Sequence, residues 1–516
     1  NNPLMQASEA LFIAEVVALI AVGRLMSEIM NRLGQPAVMG QLIAGMLLGP
    51  SVLGSLWPAG QHLLFPSSAT QQAMLQGVAH LGVLLILLLT GMETDLSLVR
   101  RSGRASLSVS LAGIALPFAC GMVLAWHLPD ALIPDPGKRL VTALFLGTAM
   151  SISSVKIVAL LIRDLGFLRR TVGQVILASA VIDDTIGWIL MSLVFGIALH
   201  GGVDLPSLAR SVFGTLAFLG LSFTVGRRLV FRLIRWSNDR FQSELPVIAM
   251  ILVITGAMAL LTDAIGVHTV LGAFVAGILI GQSPILTRHI EEALRGLIVA
   301  LFMPVFFGLA GLTADLRSLA QPDMLLLTLG VIAVASIGKF SGALLGGRIG
   351  GLDFPQSLAV GAGMNARGST EVIIATFGLS MGALSRDLFT AIVTMAVITT
   401  LAMPPMLRWA VRRLKMTPGE QRRLEREEIE SRSFVAGIER LLVTVDASRS
   451  GELASHLVGL LAGVRGIPAT ALHLDEGTTR DSGTDASEAK RTEEVLTRAA
   501  EAGGDAGPAG PSDAPA

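Results

Sequence analysis

Ser179-Ala-Val-Ile-Asp183-Asp184-Thr-Ile-Gly-Trp188-Ile-Leu190 lies near the middle of a long apolar stretch, 171–199. A carboxylate at the centre of a membrane-spanning helix costs about 2.5–3.5 kcal/mol on insertion scales, so an adjacent pair marks a functional site. The surrounding composition fits a bilayer. Hydrophobic residues make up 52% of the chain and charged residues 15%, with a mean hydropathy of +0.67, too apolar for a soluble surface of this length. A formal net charge of +0 and dispersed Lys and Arg residues exclude a nucleic-acid interface. The single cysteine, Cys120, can form neither an intrachain disulfide nor a CxxC pair. The first apolar segment starts near Glu9 with no basic residue before it, which reads as a retained span rather than a cleaved leader.

Stretches long enough to cross the hydrocarbon core recur at 10–30, 36–52, 73–91, 105–126, 140–162, 171–199, 208–234, 245–261, 267–281, 294–312, 324–349, 356–379 and 388–410. These predict an all-α membrane protein of about thirteen helices. Basic residues concentrate at the ends of odd-numbered spans, as at Arg100, Arg101 and Arg104 or Arg227, Arg228, Arg232 and Arg235. The positive-inside rule then places the amino terminus outside and the carboxyl terminus in the cytoplasm.

The second span, from Gly40, reads Gly-Gln-Leu-Ile-Ala-Gly-Met-Leu-Leu-Gly-Pro, and the ninth, from Gly272, reads Gly-Ala-Phe-Val-Ala-Gly-Ile-Leu-Ile-Gly-Gln. Gly91-Met-Glu-Thr-Asp-Leu after the third span echoes Gly311-Leu-Thr-Ala-Asp-Leu after the tenth, and Gly147-Thr-Ala-Met150 in the fifth echoes Gly361-Ala-Gly-Met364 in the twelfth. Each partner is seven spans away, an odd number, so the two halves run through the membrane in opposite directions. Inverted repeats of this kind build secondary transporters that hold substrate at the midplane.

Two spans are interrupted by polar residues, at Met150-Ser-Ile-Ser153-Ser154 and at Gly363-Met-Asn365-Ala-Arg367-Gly-Ser-Thr-Glu371. Unwound backbone at membrane depth is tolerated where it lines a cavity or is buried in protein, and the exposed half-helix ends are ion ligands in waiting. These breaks are expected to cross near the aspartates. Arg367 and Glu371, spaced i, i+4, can pair on one helix face, which leaves open both a structural role in neutralising half-helix ends and a direct contact with substrate. Lys339, mid-span in Ser336-Ile-Gly-Lys339-Phe, is too deep to snorkel and needs an acidic partner. Successive helical residues point about 100° apart, so one aspartate can pair with Lys339 while the other faces an aqueous cavity. Lys156 reads as a snorkelling side chain. His62, His80, His127, His200 and His268 lack metal-site spacing and read as interfacial.

Gly40–Pro50, Gly91–Leu96, Val181–Asp184, Phe302–Leu312, Ile337–Lys339 and Met364–Glu371 together resemble the motifs of the cation:proton antiporter-2 family of sodium/proton exchanger-like transporters, over residues 10 to about 413. The resemblance implies a homodimer in the lipid bilayer of a bacterial inner membrane. Spans one to three and eight to ten would form the dimer scaffold, and spans four to six and eleven to thirteen a core that moves in an elevator-like manner. It makes Asp184 the carboxylate that binds H+ and, transiently, Na+ or alternatively K+ or Li+. Asp183 is the neighbour that pairs with Lys339, and Ser153 and Asn365 are polar groups at the crossing. Members with Asp-Asp prefer sodium, and the potassium-efflux branch is the alternative. No cofactor is implied, and neither an enzyme constellation nor the ligand rings of a channel are visible.

After the transmembrane domain, 1–413, comes a charged linker, 414–435. The segment 436–480 follows as strand, helix and strand and is similar to the opening of a universal-stress-protein domain. The Gly-rich nucleotide loop of such domains would come later, where the chain instead runs into 481–516, rich in Ala, Gly, Asp, Pro and Ser and expected to be disordered, so the segment is expected to be a truncated or a vestigial domain that does not bind nucleotide.

Overall fold

Apolar sequence in a bilayer has few choices, because every backbone N–H and C=O must be satisfied within the protein and a helix does this locally. The computed structural model describes residues 3–66, 68–94, 103–167, 170–199, 205–241, 245–283, 288–414, 420–421, 441–445, 449–465 and 469–473. Helices α1 (Pro3–Arg32), α2 (Ala37–Leu48), α3 (Ala69–Met92) and α4 (Gly103–Trp126) precede a broken pair, α5 (Arg139–Ser151) and α6 (Val155–Asp164). The aspartates lie on α7 (Thr171–Leu199). Then come α8 (Leu205–Leu221), α9 (Arg227–Arg240), α10 (Leu245–Ala264), α11 (Thr269–Gly281), α12 (Arg288–Leu297), α13 (Met303–Thr313) and α14 (Pro322–Ile349). A second broken pair, α15 (Phe354–Met364) and α16 (Ser369–Ser380), is followed by α17 (Arg386–Val411).

Among the described residues, nine helices are long and apolar enough to cross a membrane. Four of the stretches expected from sequence fall outside that set. Two, 140–162 and 356–379, are the broken pairs. The stretch 208–234 lies in α8 and α9, joined through a π-helical turn at Ser222–Gly226 and rich in arginine, and α11 has only 13 residues. Local chemistry sets the ends of the helices around the site. Asp353 and Gln356 form a reciprocal capping box at the start of α15, with Pro355 in the first turn, and Ser385 caps α17 by accepting from Leu388 N–H.

The echoing sequences make matching contacts. A Cβ built on Gly311 of α13 would lie 2.1 Å from the carbonyl oxygen of Leu42 in α2, and one on Gly91 of α3 would lie 2.2 Å from that of Phe274 in α11. The reverse contacts also correspond: Gly45 would meet Gly308 O at 2.0 Å, and Gly277 would meet Leu88 O at 2.3 Å. Leu42 and Phe274 occupy the same place in the two sequence repeats, as do Gly45 and Gly277. Close backbone approach through small residues is how helices associate in lipid, where no hydrophobic force drives them together. Gly45→Val is therefore expected to reduce folded yield and melting temperature in detergent, at a cost at or above the usual 1–3 kcal/mol of overpacking, about what a rigid backbone neighbour imposes. Gly77→Val is the control, since nothing lies within 4 Å of its Cβ position, and it should melt like the parent.

The chain divides into two compact units, Asn1–Lys415 and Met416–Ala516. Within the second, β1 (Leu441–Val445) pairs in parallel with β2 (Ala469–His473), Leu441 opposite Ala469, and the connection between them carries the helix Arg449–Arg465, here α18. Most of the 414–435 linker and all of the 481–516 tail lie outside the described residues.

Candidate ion site

The site is built where the two broken helices cross. Backbone at Ile152 and Ser154 is extended, which stops α5 at its last small polar residue, Ser151, and leaves its final carbonyls without helical partners. Ser154 N–H donates to Ala366 O at 3.0 Å, and Ser153 Oγ donates to Met364 O, a terminal carbonyl of α15, at 2.8 Å. The two breaks thus satisfy part of each other's orphaned backbone.

Cations serve the carboxyl-terminal end of α5. Lys339 Nζ donates to Ser151 O at 2.5 Å, and Arg367 Nη1 donates to Ala149 O at 3.1 Å, where the helix dipole is negative. Arg367 Nη2 reaches Ala335 O at 2.9 Å. At the amino-terminal end of α16, where the dipole is positive, Glu371 Oε2 accepts from Gly368 N–H at 2.6 Å. The sequence spacing suggested that Arg367 and Glu371 pair on one helix face. The structure differs, because α16 starts at Ser369 and Arg367 lies in the unwound segment before it. Each instead serves a separate half-helix end. Asn365, 4% exposed, ends α15, and its Oδ1 has no hydrogen-bond partner.

Asp183 is the hub of the fully buried part. Its Oδ2 accepts from Lys339 Nζ at 2.5 Å and lies 3.0 Å from Ser153 Oγ, whose single proton is shared with Met364 O, and its Oδ1 accepts from Ser110 Oγ at 2.5 Å. Lys339 uses its third proton on Gly113 O at 2.9 Å. Both charged side chains are 0% exposed, and such a pair persists only when its remaining lone pairs and protons are also bonded, as they are here.

Asp184 points elsewhere. It lines a pocket with Ser154, Ser369 and Thr370 of the crossing, facing Leu87 and Thr90 of α3, and its Oδ1 lies 3.4 Å from Thr370 Oγ1. The adjacent aspartates are therefore divided between two environments.

Several contributing groups escaped sequence reasoning. Ser110 and Gly113 come from α4, Thr370 from the second break, and Thr400 of α17 donates to Arg367 O at 2.5 Å. The run of alternating serines Ser106, Ser108 and Ser110 in α4 was the available signal, and the structure fully buries Ser106 and Ser110. The expectation that the histidines are all interfacial needs correction. His80 sits within α3 and stacks on Phe377 of α16, while His268, the N-cap of α11, packs against Phe195 and Phe377. The reason is that aromatic residues from other helices converge there, which span-by-span reading cannot see. His200 and the Lys156 side chain lie outside the described residues.

A helical membrane domain with crossed broken helices and buried ionisable groups at their junction defines an ion-transport protein rather than an enzyme. The family model for the transmembrane domain of sodium/hydrogen exchangers matches residues 16–413, and the chain belongs to that family. It is an integral membrane protein. It is 29% identical over 398 residues to the Na(+)/H(+) antiporter NhaS4 of Synechocystis, covering 77% of this chain and 96% of the relative. It is 32% identical to the Na(+)/H(+)-K(+) antiporter GerN of Bacillus cereus over the same shares. The K(+)/H(+) antiporter 1 of Saccharomyces cerevisiae is 27% identical, with 80% of this chain and 48% of that protein covered. The solved structure of the sodium proton antiporter MjNhaP1 from Methanocaldococcus jannaschii at pH 8 shares the fold, with a TM-score of 0.53 at 18% identity over 79% of this chain and 97% of that one.

Proposed function

We propose that the chain is a monovalent cation:proton antiporter, with Na+ as the cation, in which proton and cation compete for Asp184. The observation that carries this reading is the division of labour between neighbours. Asp183 is tied to Lys339 and two serines, whereas Asp184 lines a pocket beside hydroxyl oxygens from both broken helices. Oxygen ligands suit a hard alkali cation, and a carboxylate is the one group there that can trade it for a proton. The matched glycine contacts support two inverted halves of about thirteen spans. In this reading α1 to α3 and α10 to α13 form the scaffold of a homodimer, and the broken helices with α4, α7, α14 and α17 form a core that slides past it, with the amino terminus outside and the carboxyl terminus cytoplasmic. The antiport named for NhaS4 and GerN supports the same assignment. Potassium is the second reading, favoured by the K(+)/H(+) exchange named for the yeast relative. Proteoliposome transport comparing Na+, K+ and Li+, with and without an imposed potential, decides between them.

Competition has a pH signature. A protonated carboxyl offers no charge to a metal ion, so apparent cation affinity should strengthen as pH rises through the titration of Asp184 and level off above it. Initial rates of exchange against cation concentration at a series of pH values measure this. An affinity that stays flat would place the proton on Glu371 or on the Lys339 pair.

A further inference from the structure

Beyond the pocket, toward the Leu199 end of α7, rings from the scaffold helices and the core helices converge, His80 at the exposed edge of the cluster. Phe195 lies 11 residues after Asp184, about 16 Å along the helix. Its ring centroid is 4.0 Å from that of His268 and 5.4 Å from that of Phe377, while His268 is 4.6 Å from Phe377 and His80 stacks on Phe377 at 5.9 Å. Phe145 of α5 backs Phe195 at 5.4 Å. Nearer the site, Trp188 is 1% exposed and its ring lies 6.1 Å from that of Phe274 on α11. His80 and His268 come from α3 and α11, and Phe145, Phe195 and Phe377 from α5, α7 and α16. The rings therefore bridge the two sets of helices that must separate for Asp184 to open on this side. We propose that His80, His268, Phe195 and Phe377 form a latch that seals this end of the path, and that protonation of the two imidazoles releases it. The proposal rests on the alternating-access reading above, in which the loop charges put this end outside.

The neutral form of His268 is built into the latch. Its Nδ1 accepts from Val270 N–H at 3.3 Å, capping α11. A ring nitrogen that accepts must be unprotonated, so the ring is the neutral tautomer with its proton on Nε2. Protonating Nδ1 would eject the cap and set a cation against the positive end of the α11 dipole. It would also bring a positive charge up to His80, the one ionisable group in electrostatic contact with His268 among the described residues. Glu15 of α1 is buried against α3 at this same end, where its carboxyl accepts from Gln71 Nε2 at 2.7 Å, and Asp315 pairs with Arg317 past the end of α13; the remaining charged groups on the packed elements are placed elsewhere. Arg139, which opens α5, is held by Asp130 and by the carbonyls of Ala125, Trp126 and Leu128. Asp263 is exposed near the end of α10, and Arg386 and Asp387 open α17, past the Ser380 end of α16. Glu371 caps the opposite end of α16, and Glu93, at the opposite end of α3, pairs with Arg295.

The test is a distance. Spin labels at Gln72→Cys on α3 and Ser380→Cys on α16, in a Cys120→Ser background diluted with unlabelled protein so that only pairs within one chain are read, report separation at this end. Between about pH 8 and about pH 4, a range carried below the ordinary histidine value because the cap and the α11 dipole favour the neutral ring, the population should move to a longer distance, by a step on the order of one helical turn, about 5 Å. His80→Phe with His268→Asn keeps a stacking ring and a capping side chain but removes the titration, and should hold the short distance at both pH values. The carboxyls of Asp184 and Glu15 are present in both proteins, so a shift that persisted in the double variant would assign it to a carboxyl group and overturn the latch. A parent distance indifferent to pH would overturn it as well, without recourse to any variant. The distance does not depend on which ions are moved, so failure of the antiport reading shows in the liposome assay and not here.

Discussion

Asp184→Asn is expected to bring cation-dependent proton movement in proteoliposomes down to the empty-liposome background. The substitution keeps the volume and the neighbour Thr370, 3.4 Å away, and removes the one property on which exchange depends, the choice between carrying a proton and carrying a charge for a cation. Folding should survive, because Asp184 lies beside the pocket while the buried hydrogen-bonded ion pair is made by Asp183. Size-exclusion behaviour and melting temperature like the parent's, with transport lost, are the paired result. Transport near the native rate in this variant would remove Asp184 from the mechanism.

Lys339→Ala carries the largest expected effect on stability. It strands the Asp183 carboxylate, at 0% exposure, with only Ser110 and Ser153 as donors, and it leaves Gly113 O and Ser151 O without the donor they now share. Removing one member of a buried pair costs about 3–5 kcal/mol, much of it the uncompensated charge of the survivor. Adding Asp183→Asn removes that charge, so the double variant should melt at a higher temperature than Lys339→Ala alone, and the coupling should be clear of the few tenths of a kcal/mol, roughly 0.3–0.5, within which independent sites add. Additive melting effects in this cycle would mean that the two side chains do not depend on each other. Ser110→Ala, which removes one neutral donor to a charged acceptor, should cost less, about 1.5–3 kcal/mol.

The sequence by itself determined that this chain is a bundle of membrane helices and singled out Asp183, Asp184 and Lys339 as ionisable groups within it. Hydrocarbon leaves so few solutions for backbone and for charge that apolar length and misplaced carboxylates are read directly. It also showed where the helices break, since Ser153, Asn365, Gly368 and Glu371 interrupt apolar runs at a depth where an interruption has to line or cross something. What the tertiary structure decided is which partner each group takes. Helix geometry alone left open which aspartate meets Lys339; the family resemblance implied Asp183, and the structure brings it there through the rotation of α7 against α14, with Ser110 arriving from α4, 73 residues away in sequence. That Arg367 and Glu371 serve opposite half-helix ends depends on α16 starting at Ser369, two residues later than the i, i+4 rule assumes. The convergence of His80 and His268 on Phe195 and Phe377 has no sequence signal at all, because each is an ordinary residue on its own helix and the cluster exists only where four elements meet. Periodicity and transfer energy act along one helix and are legible in its residues, whereas pairing between helices is fixed by rotation and depth, which the chain acquires only on packing.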